Sequence, residues 1–159
     1  MTSVKISIIA LGEIKNKNIL SIEAEYIKRL RPYFKIESVD LSVKKFSSFP
    51  EAERKKREAE LLTGKITKDS FLILLDENGA SYDTSKFSNL IKGHMGRSTK
   101  HLVFAIGGVY GWDDAIKKQA GMLMSLSSLT FTYEFARIIL IEQIYRVATI
   151  INGIPYHKD

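Results

Sequence analysis

Two five-residue runs constrain this chain more than anything else in it. Residues 71–75 read FLILL and residues 102–106 read LVFAI, with no polar side chain at any position. A strand with one wet face alternates apolar and polar residues. A run that is apolar throughout is a strand covered on both faces, as in a parallel sheet with helices on either side. The flanking segments agree. Residues 4–11 are rich in β-branched side chains and read as a strand, and Lys35–Leu41 alternates as another. Residues 18–30 set Ile19, Ile22, Tyr26, Ile27 and Leu30 on one helical face. A second helix is expected over 48–63, with Ser48 as candidate N-cap and Pro50 and Glu51 as start signals. Residues 76–83 (DENGASYD) read as a turn and 84–92 as a short helix. Residues 112–120 read as a helix with Asp113 and Asp114 in its first turn, where they complement the helix dipole. Residues 122–126 are a fifth strand, and 133–152 a long helix closed by Gly153 and Pro155. Strand and helix alternate throughout. That predicts one α/β domain over 1–159, a mainly parallel sheet flanked by helices with right-handed crossovers.

Ligands of such sheets sit beyond the carboxyl ends of the strands. Three segments therefore compete for the site: the ends of FLILLD, VFAIGG and LMSLSSLTF. The glycines Gly107, Gly108 and Gly111 do not make a dinucleotide fingerprint, because Ile106 stands where the first glycine belongs, and no Gly-Lys-Ser/Thr ending makes a P-loop. They serve either a tight turn at positive φ or a ligand lying directly against the backbone. Leu126–Phe131 is either an ordinary capped loop or a pocket of backbone N–H and C=O groups suited to an adenine edge.

The long C-terminal helix is apolar nearly all round, so one side is expected to face the core and another a second subunit. Glu142, Gln143 and Arg146 form one polar stripe on it. Arg146 pairs with Glu142 four residues earlier or points at substrate phosphate. The tail GIPYHKD either frays or docks over the site with Tyr156 and His157. His94 and His101 have no second ligand at metal spacing, so no metal is expected, and G-x-S-x-G is absent.

The absence of cysteine removes disulfides and thiolate chemistry and fits a reducing compartment. No cleaved signal peptide is expected, because the start has no basic n-region ahead of its apolar run and no long h-region, and no membrane span, because Glu142, Gln143 and Arg146 break the longest apolar stretch. With 24 Lys+Arg against 18 Asp+Glu the net charge is +6, which favours a polyanionic partner and is also common in soluble domains. The cluster Arg54, Lys55, Lys56, Arg57, with Lys44 and Lys45, and a second group of Lys28, Arg29, Arg31 and Lys35, are solvated helix faces or an RNA-facing surface.

Several segments coincide with one family. VKISIIALGEIKNK, FLILLDENGASYDT, FAIGGVYGW, SLSSLTF and RIILIEQIYRVATIINGIPYHK resemble the RlmH family, the SPOUT-class ribosomal RNA large subunit methyltransferases H, in order and spacing from the first strand to the last residues. The resemblance implies the SPOUT fold with a C-terminal trefoil knot. It also implies a cytoplasmic homodimer that uses S-adenosylmethionine to methylate N3 of a pseudouridine in 23S rRNA of the assembled ribosome. Carried over by motif, the cofactor contacts are Leu75, Gly107 with its neighbour Gly108, and Leu126, Ser127, Ser128, Leu129, Thr130 and Phe131. Arg146, Tyr156 and His157 match positions that serve the substrate and are the catalytic candidates. One departure stands out: where the family commonly has Pro-His-Gln, this chain has Thr132, Tyr133 and Glu134, and no histidine role is carried over there. The alternatives are an RNA-binding or assembly factor of the same fold, or a methyltransferase acting on another RNA.

Overall fold

The computed structural model describes residues 4–97 and 99–158. Strands and helices alternate as β1 (Lys5–Leu11), α1 (Lys17–Leu30), β2 (Lys35–Leu41), α2 (Glu51–Thr63), β3 (Ser70–Ser81), α3 (Thr84–Gly96), β4 (His101–Ile106), α4 (Asp114–Gln119), β5 (Met122–Ser125) and α5 (Tyr133–Ile151). The five strands are all parallel, in the order β2-β1-β4-β3-β5.

The two apolar runs occupy the middle of this sheet as β3 and β4, and their alternate residues feed two cores. Ile73, Leu102, Phe104 and Ile106 pack under Leu30 of α1, Phe87 and Ile91 of α3 and Leu140 and Ile144 of α5. Leu72, Leu74, Val103 and Ala105 pack on the other side with Ala59 and Leu62 of α2, Trp112 and Ile116. Helices on both faces are the reason residues 71–75 and 102–106 carry no polar position.

Four boundaries differ from the sequence reading by two residues or more. β3 does not end at Leu75. Leu75 and Ala80 both pair with Met124, so residues 76–79 buckle out and the strand resumes alongside β5. The turn signals are real, since the Asn78 N–H donates to Asp76 Oδ1 at 2.8 Å, but they make an excursion rather than a terminus. Gly79 permits the return: a Cβ there would sit 2.6 Å from the Leu123 carbonyl carbon. Ser48 does not cap α2, which starts at Glu51 behind Pro50 with no side-chain cap. Asp113 is the N-cap of α4, its carboxylate accepting from the Ala115 N–H at 3.2 Å, and Trp112 is left outside the helix and buried. α3 runs on to Gly96 because Ile91 and His94 continue its buried face. The end of α5 is as expected, with Gly153 at φ 64 just after the Asn152 C-cap.

α5 is fixed by a charge that the sequence reading passed over. Arg137 is 2% exposed. Its Nε and Nη2 donate to the two oxygens of Glu23 on α1 at 2.6 and 2.7 Å, and Nη1 pairs with Asp40 of β2. Burial alone would lower the guanidinium pKa, but the hydrogen bonds from Glu23 and Asp40 more than offset it and hold the group above its ordinary value. Arg137→Met removes one member and strands the buried Glu23. Denaturant titration is expected to show a loss of about 3 kcal/mol or more, whereas a loss within error of zero would remove Arg137 as the anchor of α5.

Candidate functional site

The register of the sheet assembles the three competing segments. Leu75 pairs with Ile106 on one side and with Met124 on the other. The chain therefore buckles out of β3 after Leu75, leaves β4 at Gly107 and leaves β5 just before Leu126 from the same level, with β3 between the other two. Trp112 ties two of these exits together: its indole Nε1 donates to the Leu75 carbonyl at 2.8 Å.

The glycines are explained by the chain's own side chains. Among the described residues neither Gly107 nor Gly108 has a positive φ; in this loop that conformation belongs to Gly111, at φ 77. The positive-φ turn reading is thus corrected to Gly111 alone. A Cβ on Gly107 would lie 3.0 Å from Trp112 Cε2, and one on Gly108 would lie 2.9 Å from Glu58 Oε2. A side chain at either position would crowd a neighbour, since Trp112 would have to give by a few tenths of an ångström and the Glu58 carboxylate would have to move aside.

The 126–131 loop is held by its own serines. Ser125 Oγ donates to the Ser127 carbonyl at 3.0 Å, and Ser127 Oγ accepts the Leu129 N–H at 3.0 Å. Ser128, Leu129 and Thr130 are exposed, and Phe131 is half-buried. A pocket of about 330 Å³ opens beside this loop between α3 and α5, lined by Tyr82, Thr84, Phe87, Met124, Leu126 and Gln143 among others. Of the expected cofactor contacts, Leu126 alone lines it. Val109, Tyr110, Leu129 and Phe135 leave an exposed apolar surface on these two loops and the first turn of α5.

The substrate candidates sit together at the other end of α5. Arg146 pairs with Glu142, as the i,i+4 spacing predicts, and the same guanidinium lies 3.2 Å from His157 Nδ1 and 4.9 Å from the Tyr156 ring centroid. Tyr156 donates its hydroxyl to Glu142 Oε1 at 3.1 Å and meets Tyr145 edge-on at 4.9 Å between centroids. The tail is docked rather than frayed. Hydrogen bonding to Tyr26, with burial and the Glu142 charge, pushes the Tyr156 phenol well above its ordinary pKa, so it stays protonated and donates. α5 starts at the carboxyl edge of the sheet, where the Tyr133 hydroxyl donates to the Glu13 carbonyl at 2.6 Å and its ring covers Gly12. Arg146 lies thirteen residues further on, roughly 20 Å along a helix. Within one chain the substrate candidates and the three strand exits are therefore held apart.

Other candidates resolve into structure. Arg54 and Arg57 pair with Glu58 and Glu53 and lie over the rings of Tyr110 and Phe49, so half of that basic cluster is neutralised. His94 and His101 bond to Thr99 and to Ser7 and Ser70, away from the carboxyl edge; burial, then nearby cations, lowers both pKa values. Among the described residues no three His, Asp or Glu side chains converge as a metal site, and no helix is long and apolar enough to cross a membrane. The sequence reading missed Trp112 and Glu58. The signal for Glu58 was its place among Ala59 and Leu62 in the charged stretch ERKKREAE, on the turn that α2 buries.

Gly107→Ala is expected to push the indole off the Leu75 carbonyl. Trp112 is the one tryptophan in the chain, so its emission should shift to longer wavelength with the far-UV circular dichroism unchanged. An unshifted spectrum would show that the loop tolerates a methyl group and that Trp112 does not impose the glycine.

The family profile described as "Predicted SPOUT methyltransferase" matches residues 4–157. The ribosomal RNA large subunit methyltransferase H of Flavobacterium psychrophilum is 39% identical over 155 residues, covering 97% of this chain and 99% of the relative. Proteins of the same name from Trichlorobacter lovleyi and Acetivibrio thermocellus are 39% and 35% identical, covering 96% and 97% of this chain and 99% of each relative.

Proposed function

We propose, for a chain that belongs to the SPOUT methyltransferase family, that it is an S-adenosylmethionine-dependent enzyme of large-subunit ribosomal RNA. In this reading it methylates N3 of a pseudouridine in 23S rRNA of the assembled ribosome, acting in the cytoplasm as a homodimer of one domain over 1–159 with the trefoil-knotted C-terminal part its family implies. The observation that carries the reading is the common level at which Leu75, Gly107 and the 126–131 loop leave the sheet. Three adjacent exits make a cradle at the place where open α/β sheets bind ligands.

The residues present suit the cofactor. Leu75, Leu126 and Phe131 offer apolar contact to an adenine, and Gly107 and Gly108 keep side chains off the loop backbone. Among the described residues Glu58 Oε2 has no partner and stands behind Gly108, on the protein side of the loop. When bound, S-adenosylmethionine supplies a sulfonium methyl group for displacement by nitrogen. The N3 proton of the target must leave, and His157 is the side chain in the substrate cluster of a type that exchanges protons near neutrality. Arg146, whose position is fixed by Glu142, donates toward the ring carbonyls and stabilises their developing negative charge. Tyr156, its one proton engaged by Glu142, meets the ring as an acceptor.

These three residues lie roughly 20 Å along α5 from their own strand exits, so the tail of a partner subunit completes each site. The apolar surface of Val109, Tyr110, Leu129 and Phe135 is buried between the two chains.

Labelled methyl transfer from S-adenosylmethionine to ribosomes, followed by mapping of the modified nucleotide, tests the reading. The label is expected on N3 of one pseudouridine of 23S rRNA. A label on another RNA would make this a methyltransferase of different specificity, and no calorimetric binding of S-adenosylmethionine would make it a binding or assembly factor. His157→Ala is expected to lower transfer by about a hundred-fold with cofactor affinity kept, and unimpaired transfer would end its role as base. Gly107→Leu is expected to abolish cofactor binding in a protein that remains a folded dimer.

A further inference from the structure

Glu58 is 1% exposed, yet only one of its oxygens is occupied. Arg54 Nε donates to Oε1 at 2.9 Å, while Oε2 is shut off from solvent and has no partner. A buried acceptor without a donor is rare and costly, and asks for an explanation. Its location supplies one. A Cβ on Gly108 would lie 2.9 Å from Oε2 and 3.2 Å from Oε1, so the carboxylate rests against the backbone of the 107–111 loop. Arg54, the residue that fixes Oε1, also reaches this loop, its guanidinium lying 5.4 Å from the Tyr110 ring centroid. One ion pair on α2 thus touches the glycine loop at two residues. Among the described residues the amides of Val109 and Tyr110 donate to no protein acceptor, and Val109 is 84% exposed. The unused donors belong to the two residues that follow Gly108, against which the unused acceptor rests.

We propose that Glu58 is a positioning residue for the ligand bound at the glycine loop, its free Oε2 accepting a backbone N–H of residues 108–110 and drawing the loop into the shape on which the ligand rests. The inference rests on the cofactor reading above and adds a contact behind the cradle. Arg54 fixes the carboxylate through Oε1 and leaves Oε2 directed at the loop. A ligand seated on Gly107 favours the drawn-in loop, and the drawn-in loop favours the ligand by the same factor. The glycine at 108 is then required on both sides: by the carboxylate behind it and by the ligand before it.

A double-mutant cycle tests this, with S-adenosylmethionine titrated calorimetrically into the full-length protein and into the Glu58→Ala, Gly108→Ala and doubly substituted variants. Loss of one charge-assisted hydrogen bond is expected to weaken binding about ten-fold in Glu58→Ala. Gly108→Ala is expected to do the same, because its methyl group displaces Oε2. The double variant should bind no more weakly than Glu58→Ala, since the obstruction has gone. Glu58→Gln keeps the shape, serves if the alanine variant does not fold, and should recover part of the affinity. A purely structural Glu58 would lower the melting temperature but leave the dissociation constants of Glu58→Ala or Glu58→Gln at the parental value, with Gly108→Ala equally harmful in both backgrounds. That result overturns the proposal. If the parent itself binds no S-adenosylmethionine, the cofactor reading fails. The loop contact is then judged by amide hydrogen exchange in the free protein: exchange at 108–110 faster in Glu58→Ala than in the parent supports it, and equal rates refute it.

Discussion

A single buried guanidinium holds the architecture in register. Arg137 has almost no access to water, so every donor it turns inward has to find an acceptor in the protein. It finds them on two separate elements, Glu23 of α1 and Asp40 near the end of β2. An apolar residue at this point would let α5 slide on its own apolar face of Leu140, Ile141 and Ile144, which carries no directional preference. The ionic cluster removes that freedom. With Arg137 fixed, Tyr133 is brought onto Gly12 and Glu13 at one end of the helix, and Tyr145 and Tyr156 onto Tyr26 at the other. Both groups of functional candidates inherit their positions from this contact.

The sheet was legible because burial on two faces leaves a mark in composition. FLILL and LVFAI read as covered strands, and the alternation of elements around them pointed to the fold class and to the carboxyl edge as the place of the site. The tail cluster was legible in part: the spacing of Glu142 and Arg146 gave their pair. What periodicity could not show was contact between distant segments. Glu23 and Arg137 are more than a hundred residues apart, and neither carries a local sign that the other exists. The DENG segment shows a different limit. Its turn chemistry is correct, but local chemistry cannot tell whether a turn ends a strand or interrupts one; that depends on β5, whose Met124 serves both Leu75 and Ala80.

The glycine loop joins these two lessons. As a string it looked like an incomplete nucleotide motif, and its glycines were read either as a positive-φ turn or as room for a ligand against the backbone. Two of the three are there for space, not for backbone freedom. Trp112 and Glu58 approach so closely that a methyl group would press on the indole and displace the carboxylate. The loop is therefore walled by its own protein from behind, by an indole bonded to the end of β3 and a carboxylate standing on α2. A cradle with a rigid back suits a site whose work is alignment of two reactants rather than chemistry by a strong acid or base.

The strand order carries a consequence for how the molecule comes into being. β1 is made first, yet its inner neighbour is β4, so the Lys5–His101 rung closes across nearly two-thirds of the chain. Parallel pairings over such separations form slowly, because the loop must be closed before any contact rewards it. During translation, β1 and β2 emerge as a two-stranded ribbon with one edge of Ile6, Ile8 and Ala10 bare until residues 101–106 have left the ribosome. At about 5–20 residues per second that interval lasts several seconds. The nascent chain spends it with an open, apolar strand edge of the kind that other chains can join, which makes this interval, rather than any contact in the finished fold, the point at which aggregation competes with folding.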